Sequence, residues 1–408
     1  MRTEAVEILI IGAGPSGAVA AGLLRKQGRQ VLMLDKEQFP RFSIGESLLP
    51  QSMAYIEAAG FLQDVVEAGF QYKNGATFQC GARSVDFDFR DKSSPGWGTA
   101  YQVQRADFDH VLAKAAEKAG AEVRYRHQVT AIDISTGEPV VDVLGPDHDA
   151  YRVSARFVLD ASGFGRTLPR LLDLETPSDF PVRAAYFTHI EDHIALDRFD
   201  RNKILVSVHP EHVDVWFWTI PFSNGRCSQG VVAHSAFFER YPGDELARLR
   251  AIIAETPSLA GLLADAIWDT PVRKLVGYAA NVKSLWGPGY ALLGNAGEFL
   301  DPVFSSGVTI AMKSASLAAA AIERAYAGES VDWQADYAVP LKRGVDVFRA
   351  FVDSWYRGGF QDILLHHHRN LEIRRAIASI LAGYAWDMNN PYVAEPRRLK
   401  VLEQLCAS

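Results

Sequence analysis

Residues 7–35 read EILIIGAGPSGAVAAGLLRKQGRQVLMLD, and the rest of the chain can be ordered around them. An apolar run over 7–11, a glycine turn, a helical stretch over 18–27 and a second apolar run over 31–34 make the alternation of a βαβ unit with parallel strands. The turn is Gly12-Ala13-Gly14-Pro15-Ser16-Gly17, a GxGxxG pattern between strand and helix. Gly12 permits the tight turn, Gly14 lets the backbone approach a pyrophosphate, and Gly17 lets the helix pack close to the strand. Pro15 and Ser16, in the same turn, are expected to bind the cofactor beside a helix whose N-terminus favours phosphate. Asp35 closes the second strand, where its carboxylate meets ribose hydroxyls, and Lys36 follows at the same edge. GxGxxG alone is a weak signal; with strand, helix and terminal acid in register it predicts a dinucleotide site in a doubly wound, Rossmann-like core.

Moving outward, residues 81–101 and 180–233 are rich in short alternating segments such as 203–208 and 213–218, which predict an antiparallel sheet. Between them, a helix over 105–120 followed by strands over 122–125, 140–143 and 156–159 returns the chain to the nucleotide core. A third return is a strand over 290–293, feeding a glycine-bearing loop and an alanine-rich helix over 308–325. The fold class is therefore α/β, α+β overall, with two domains interleaved in sequence. Residues 1–80, 102–179 and 272–331 are expected in the nucleotide domain, 81–101 and 180–271 in the substrate-side antiparallel sheet, and 332–408 in a C-terminal helical region.

The 408 residues are 48% hydrophobic, enough for a large core, and carry a formal net charge of −7. That balance, with no Lys/Arg block, excludes a nucleic-acid partner, whose phosphates need a clustered positive face. The apolar run 6–11 is too short for a signal-peptide core or a membrane span, so cytoplasmic residence without a membrane span is expected. Cys80, Cys227 and Cys406 are far apart and odd in number, which supports neither a disulfide framework nor a metal site. His366, His367 and His368 look metal-like, but neighbours on a helix point in different directions, so a surface or pocket-lining role is expected and no metal.

Three more segments complete the cofactor reading. Gln104-Arg105-Ala106-Asp107-Phe108-Asp109 opens a helix, Asp160-Ala161-Ser162-Gly163 follows a strand, and Gly294-Asn295-Ala296-Gly297 precedes Asp301-Pro302. This spaced set resembles the glutathione-reductase-type flavoproteins of the aromatic hydroxylase and geranylgeranyl reductase superfamily. The resemblance implies FAD as cofactor, with Arg105, Asp160, Gly294, Asn295 and Asp301 among the residues that bind it. Asn295 stands where many members carry Asp, so it offers a ribityl hydroxyl a hydrogen bond but no charge. Pro40-Arg41-Phe42-Ser43-Ile44-Gly45-Glu46-Ser47 resembles the segment that passes close to the flavin, which adds Arg41 and Ser47 to the cofactor set.

Within that superfamily, Val215-Trp216-Phe217-Trp218-Thr219-Ile220-Pro221 supplies WxWxIP. Tryptophans at i and i+2 share one face of a strand, so Trp216 and Trp218 form one bulky wall, with Ile220 and Pro221 at its end. Taken alone this is an ordinary packed strand. Phe299-Leu300-Asp301-Pro302-Val303-Phe304-Ser305-Ser306-Gly307 adds FxxPxxSxG, a turn entering a helix and presenting free amides at Ser306 and Gly307. Lys73, in Gln71-Tyr72-Lys73-Asn74-Gly75-Ala76, is the third element. Together these resemble the flavin-dependent halogenases as far as about residue 320, above all the variant acting on phenols or pyrroles, often tethered to a carrier protein.

That resemblance implies that reduced FAD, O2 and chloride or bromide yield hypohalous acid, with the halide held at Ser306 and Gly307. Lys73 would deliver electrophilic halogen to an electron-rich aromatic ring, and the wall of Trp216, Trp218, Ile220, Pro221 and Phe304 would part substrate from flavin. Tryptophan-specific members place a glutamate where Phe304 stands, which favours a phenolic or pyrrolic substrate here. No second GxGxxG is present, so a separate flavin reductase is the expected partner. Two other readings share the cofactor motifs: a flavin monooxygenase or geranylgeranyl-reductase-like oxidoreductase, and a catalytically inactive flavin-binding scaffold.

Overall fold

The computed structural model describes residues 2–135, 137–365 and 370–406. The histidine run at 366–368 lies outside the described residues.

The apolar run of the opening motif becomes the strand Arg2–Ile11, flanked by Val31–Asp35 and Ala150–Asp160, both parallel to it. The eight-stranded sheet runs Trp286–Gly287, Tyr290–Leu292, Ala150–Asp160, Arg2–Ile11, Val31–Asp35, Glu122–Tyr125, with a hairpin of Gln128–Asp133 and Val140–Leu144 attached to Ala150–Asp160. Ile8–Ile11 and all of Val31–Asp35 are buried, the near-continuous apolar pattern of parallel strands covered on both faces. The first strand starts earlier than position 7 because residues 2–6 pair with residues 151–155 at the far end of the sheet, where exposure weakens the apolar signal. The following helix is Pro15–Lys26, opened by a proline whose fixed φ suits the first helical position.

Ile11 pairs with Leu34 and Asp160, and Asp160 with Leu292. Four parallel strands thus end at one edge of the sheet. The loops that follow them converge there, where open α/β sheets bind ligands.

The second sheet has seven strands in the order Arg273–Val276, Arg183–Glu191, Arg226–His234, Trp216–Pro221, Lys203–Val208, Gly75–Cys80, Arg83–Asp88. All neighbours are antiparallel except Lys203–Val208 and Gly75–Cys80. Gly75–Cys80 and Arg273–Val276 thus pair within this sheet, although the sequence reading grouped 75–80 and 273–276 with the nucleotide core. Gly75–Cys80 forms a local hairpin with Arg83–Asp88, but the strands that tie it and Arg273–Val276 into the sheet, Lys203–Val208 and Arg183–Glu191, lie more than 80 residues away. The strand expected over 213–218 is Trp216–Pro221, buried along its whole length. Trp216, Trp218 and Ile220 face the main core, while Phe217 packs with Phe238, Leu249 and Ile252 on the other side. With both faces apolar, alternation carries no register information.

The alanine-rich segment forms Ser306–Tyr326, packed against Pro15–Lys26 and tied to the helix Pro50–Ala59 by a hydrogen bond between Thr309 and Ser52 hydroxyls of 2.8 Å. The C-terminal region is helical: Val339–Tyr356, Gly359–Leu365, Leu371–Leu381 and Arg397–Cys406. Asn370 caps the third of these, accepting hydrogen bonds from the Glu372 and Ile373 amides. Among the described residues no helix is long and apolar enough to cross a membrane.

Candidate active site

A cavity of about 630 Å³ runs from the carboxyl edge of the parallel sheet to the inner face of the second sheet. At the first end, Gly12 adopts φ 101°, and a Cβ there would stand 2.5 Å from the Ala161 carbonyl oxygen. A Cβ on Gly17 would stand 2.1 Å from the Gly12 carbonyl oxygen, so the helix can meet the turn only with glycine at 17. Gly14 caps the helix without a side-chain hydrogen bond, leaving its first amides to the cavity. The Asp35 carboxylate accepts the Ala13 amide (2.8 Å) and the Glu37 amide (2.9 Å), joining strand end to glycine turn. Burial raises its pKa above the usual carboxylate value. Gly12, Gly14, Pro15, Ser16, Asp35, Lys36 and Arg41 all line this end. A bare helix N-terminus beside a ribose-seeking acid, over a turn where a Cβ does not fit, suits a dinucleotide.

Arg41 and Arg105, from separate segments, are both held by Asp109. Its buried carboxylate accepts Arg41 at 2.9 Å and Arg105 at 2.7 and 3.0 Å. Arg105 also donates to the Ile44 and Gly45 carbonyls, fixing the loop that carries Ser47. Asp109 did not stand out in the sequence, although its i+4 spacing from Arg105 on a helix was the available signal.

Several expected cofactor residues stand behind the lining instead of in it. Asp160 is fully buried and accepts the Ser162 amide (2.9 Å) and the Leu168 amide (2.6 Å), so its carboxylate shapes the turn. Gly294 donates its amide to Ser314 Oγ at 2.9 Å, and a Cβ there would meet Ala311 Cβ at 2.7 Å. Asp301 accepts the Val303 amide (3.0 Å) and the hydroxyls of Tyr356 (2.9 Å) and Tyr278 (3.4 Å). Of that late segment, Asn295 lines the cavity.

Burial pushes the Asp301 pKa up to about 6. The neutral acid's contribution to stability is complete below the unfolded value of 3.8 and is lost as pH rises through about 6. Asp301→Asn is therefore expected to flatten a decline worth up to ~3 kcal/mol, read as Tm against pH between about 4 and 7.

At the other end, Trp216, Trp218 and Ile220 line the cavity with Phe42, Ala185, Phe187, Ile204, Leu275 and Tyr278. The two indoles lie 5.9 Å apart, centroid to centroid. Trp216 Nε1 donates to the Tyr356 hydroxyl and Trp218 Nε1 to Ser228 Oγ, each at 3.0 Å, and Trp218 lies across Gly230, where a Cβ would come within 2.3 Å of it. Pro221 ends the strand outside the lining. Phe304 turns away to pack edge-on against Trp355 and Phe360, at 6.0 and 5.4 Å. Ser306 is buried behind the cavity, whereas Ser305 and Gly307 line it. Ser305 sits at φ 54° and caps the helix without a side-chain hydrogen bond, so the first-turn amides remain unsatisfied from within the helix.

Lys73 is 1% exposed and lies behind the lining. Its Nζ donates to Ser47 Oγ (2.7 Å) and the Leu48 carbonyl (2.8 Å), and it stands 5.4 Å from the centre of the Phe89 ring. Ser47 does line the cavity, so Lys73 is one hydrogen bond from it. Burial pulls the lysine pKa down to about 7. Glu46, its neighbour in the loop, also faces the cavity and pairs with His189 from the second sheet at 2.6 Å. That pair spans 143 residues and left no local signal. Among the described residues no group of three or more His, Cys, Asp or Glu side chains is placed to hold a metal.

A sequence profile described as FAD binding domain matches residues 5–337. Tryptophan 2-halogenase of Chondromyces crocatus is 28% identical over 340 residues, covering 80% of this chain. This chain spans 62% of that relative's length. A 1H-pyrrole-2-carbonyl peptidyl-carrier-protein brominase of Pseudoalteromonas luteoviolacea is 28% identical over 403 residues, 94% of this chain and 93% of that one. The crystal structure of a flavoprotein/dehydrogenase from Cytophaga hutchinsonii superposes with a TM-score of 0.95 at 41% identity, covering 99% of each chain.

Proposed function

We propose, on the premise that this chain belongs to the FAD binding domain family and is an FAD-dependent oxidoreductase related to flavin-dependent halogenases, that it halogenates an electron-rich aromatic ring. The observation that carries this reading is Lys73, a buried amine hydrogen-bonded to a hydroxyl and a carbonyl, one hydrogen bond behind a cavity walled by paired tryptophans.

Bound FAD, reduced by a separate flavin reductase, would supply the two electrons and two protons that, with one further proton, turn O2 and chloride or bromide into hypohalous acid and water. The glycine turn, Asp35, Lys36, Arg41, Ser47, Arg105 and Asn295 hold the cofactor along the cavity. The unsatisfied amides at the start of Ser306–Tyr326, with Gly307 in the lining, hold the halide.

Burial lowers the Lys73 pKa to about 7, which favours the neutral amine, and that amine can take halogen from hypohalous acid as water leaves. Transfer then forms a carbon–halogen bond, releases the ring proton and restores the amine. Trp216, Trp218 and Ile220, with Pro221 ending their strand, keep the ring from the cofactor, so direct hydroxylation is suppressed. Phe304 brings no acid to the cavity, which suits phenols and pyrroles, whose rings are already activated. The brominase relative acts on a pyrrole carried by a peptidyl carrier protein, and a carrier-bound substrate is proposed here on that likeness.

The second reading, a flavin monooxygenase or geranylgeranyl-reductase-like oxidoreductase, is favoured by the 41% identical chain described as a flavoprotein/dehydrogenase. Mass spectrometry separates the two. Protein with FAD, a flavin reductase, NADH, O2 and bromide, offered phenols and pyrroles both free and carrier-bound, is expected to give a bromine isotope doublet that vanishes without bromide. An oxygenated or saturated product indifferent to bromide would establish the second reading, and absence of any product would point to a flavin-binding scaffold.

A further inference from the structure

We propose that Gly230 sets the size of ring the cavity accepts, by letting the Trp218 indole lie down on the second sheet, and that two-ring phenols are admitted as a result. The inference deepens the reading above and rests on its aromatic substrate.

Gly230 is buried in the middle of the strand Arg226–His234, where the extended backbone suits any residue. Glycine inside a strand gives up side-chain packing and costs chain entropy, and it often marks a place where another group comes close. Here that group is Trp218. A Cβ on Gly230 would stand 2.3, 2.4 and 2.6 Å from the indole carbons Cζ2, Cε2 and Cη2. The three nearest atoms are all indole carbons, so the indole is what a side chain here would displace.

The register explains why the indole leans this way. Gly230 pairs with Phe187 on one side and with Trp218 on the other, so one row across the sheet reads Phe187, Gly230, Trp218. Both rings line the cavity, with centroids 5.8 Å apart across the glycine. In the next row Val232 fills the matching place between Ala185 and Trp216, so the gap belongs to the Trp218 row. The hydrogen bond from Trp218 Nε1 to Ser228 Oγ, on the same strand as Gly230, holds the indole over that gap. With the indole lying down, the space above it is left to the occupant.

A methyl group at 230 removes this resting place. The indole must retreat by roughly 1 Å to restore ordinary carbon–carbon contact. Phe187, Trp216 and the Ser228 hydrogen bond fence its sides and the sheet lies beneath, so it rises into the cavity. Trp218 is itself cavity wall, so the space lost is space an occupant would use. A second fused ring loses its place before a single ring does. Gly230 is thus a positioning residue that acts through Trp218.

The test uses FAD-loaded protein without halide, so it does not depend on halogenation, and reads binding of phenol and 2-naphthol by isothermal titration calorimetry. The wild type is expected to bind 2-naphthol about tenfold or more tightly than phenol, because a second ring is buried. In Gly230→Ala that ratio should fall about tenfold, while phenol affinity changes by less than about threefold. Adding Trp218→Phe, which removes the colliding benzo carbons, should bring the ratio back to within about threefold of the wild type. A wild type without preference for 2-naphthol overturns the proposal. So does an unchanged ratio in Gly230→Ala, an equal loss of both ligands, or a double variant that does not recover. Should Gly230→Ala fail to fold, Trp218→Phe alone decides: it opens the same space and should raise the ratio about threefold, and an unchanged ratio overturns the proposal. Should the ratios hold while no bromide-dependent product forms, this inference stands and the halogenase reading fails.

Discussion

Replacing Lys73 with methionine is expected to remove halogenated product by about 10³-fold or more while leaving FAD bound and its reoxidation by O2 intact. Methionine nearly matches the lysine stem in length, so Phe89 keeps a neighbour. Ser47 Oγ and the Leu48 carbonyl each lose a donor, a cost of about 1–3 kcal/mol. That cost is offset because no ammonium need be buried, so the fold should persist. Product mass spectrometry, with flavin absorbance on the same sample, checks the split. Loss of FAD along with product would make the lysine structural. In the wild type, halogenation should fall as pH drops through about 7, because the amine, not the ammonium, takes the halogen. Stability should move the same way: this lysine's contribution is full above its unfolded value of 10.5 and is lost as pH falls through about 7.

The second large effect belongs to Gly17→Ala. One methyl group there would stand 2.1 Å from the Gly12 carbonyl oxygen and 3.2 Å from Ala161 Cβ, and the nearer of these is backbone that cannot swing aside. The helix must back away from the strand, carrying its N-terminal amides off the phosphate site. FAD affinity, followed by flavin fluorescence, is expected to fall at least ~100-fold, with ~3 kcal/mol or more of stability lost. Gly28→Ala is the control. Gly28, unlike the helical Gly17, has a positive φ, 78°, but a Cβ there meets nothing within 4 Å, so only backbone strain of about 1 kcal/mol is expected and FAD should still bind. Equal losses of FAD affinity in the two variants would mean that general destabilisation of the domain, not helix approach, governs the site.

What could be read from the sequence was local. The βαβ unit is legible because apolar period, glycine spacing and terminal acid all fall within residues 7–35, and the structure carries it as a Rossmann-like parallel sheet. The shared face of Trp216 and Trp218 follows from strand geometry alone. What was not legible depends on partners distant in sequence. Gly75–Cys80 finds Lys203–Val208, and Glu46 finds His189 across 143 residues. Phe304 faces away because the next residue turns the chain through a left-handed conformation, which serine does not advertise. Asp160 and Asp301 read as cofactor ligands, yet each spends an oxygen on the amide two residues on, as aspartates at turns do. That signal was present, and the family pattern outweighed it.

Tyr356, at the end of the helix Val339–Tyr356, accepts a hydrogen bond from Trp216 and donates one to Asp301. The tail of the chain is thereby a structural part of the cavity wall and not an appended cover. Anyone grafting C-terminal segments between relatives to change what the cavity accepts would also be resetting the tilt of an indole 140 residues upstream. Chimeras joined after residue 332 should therefore differ in which ring position they present, even with every lining residue unchanged, unless a hydroxyl is kept where Tyr356 now stands.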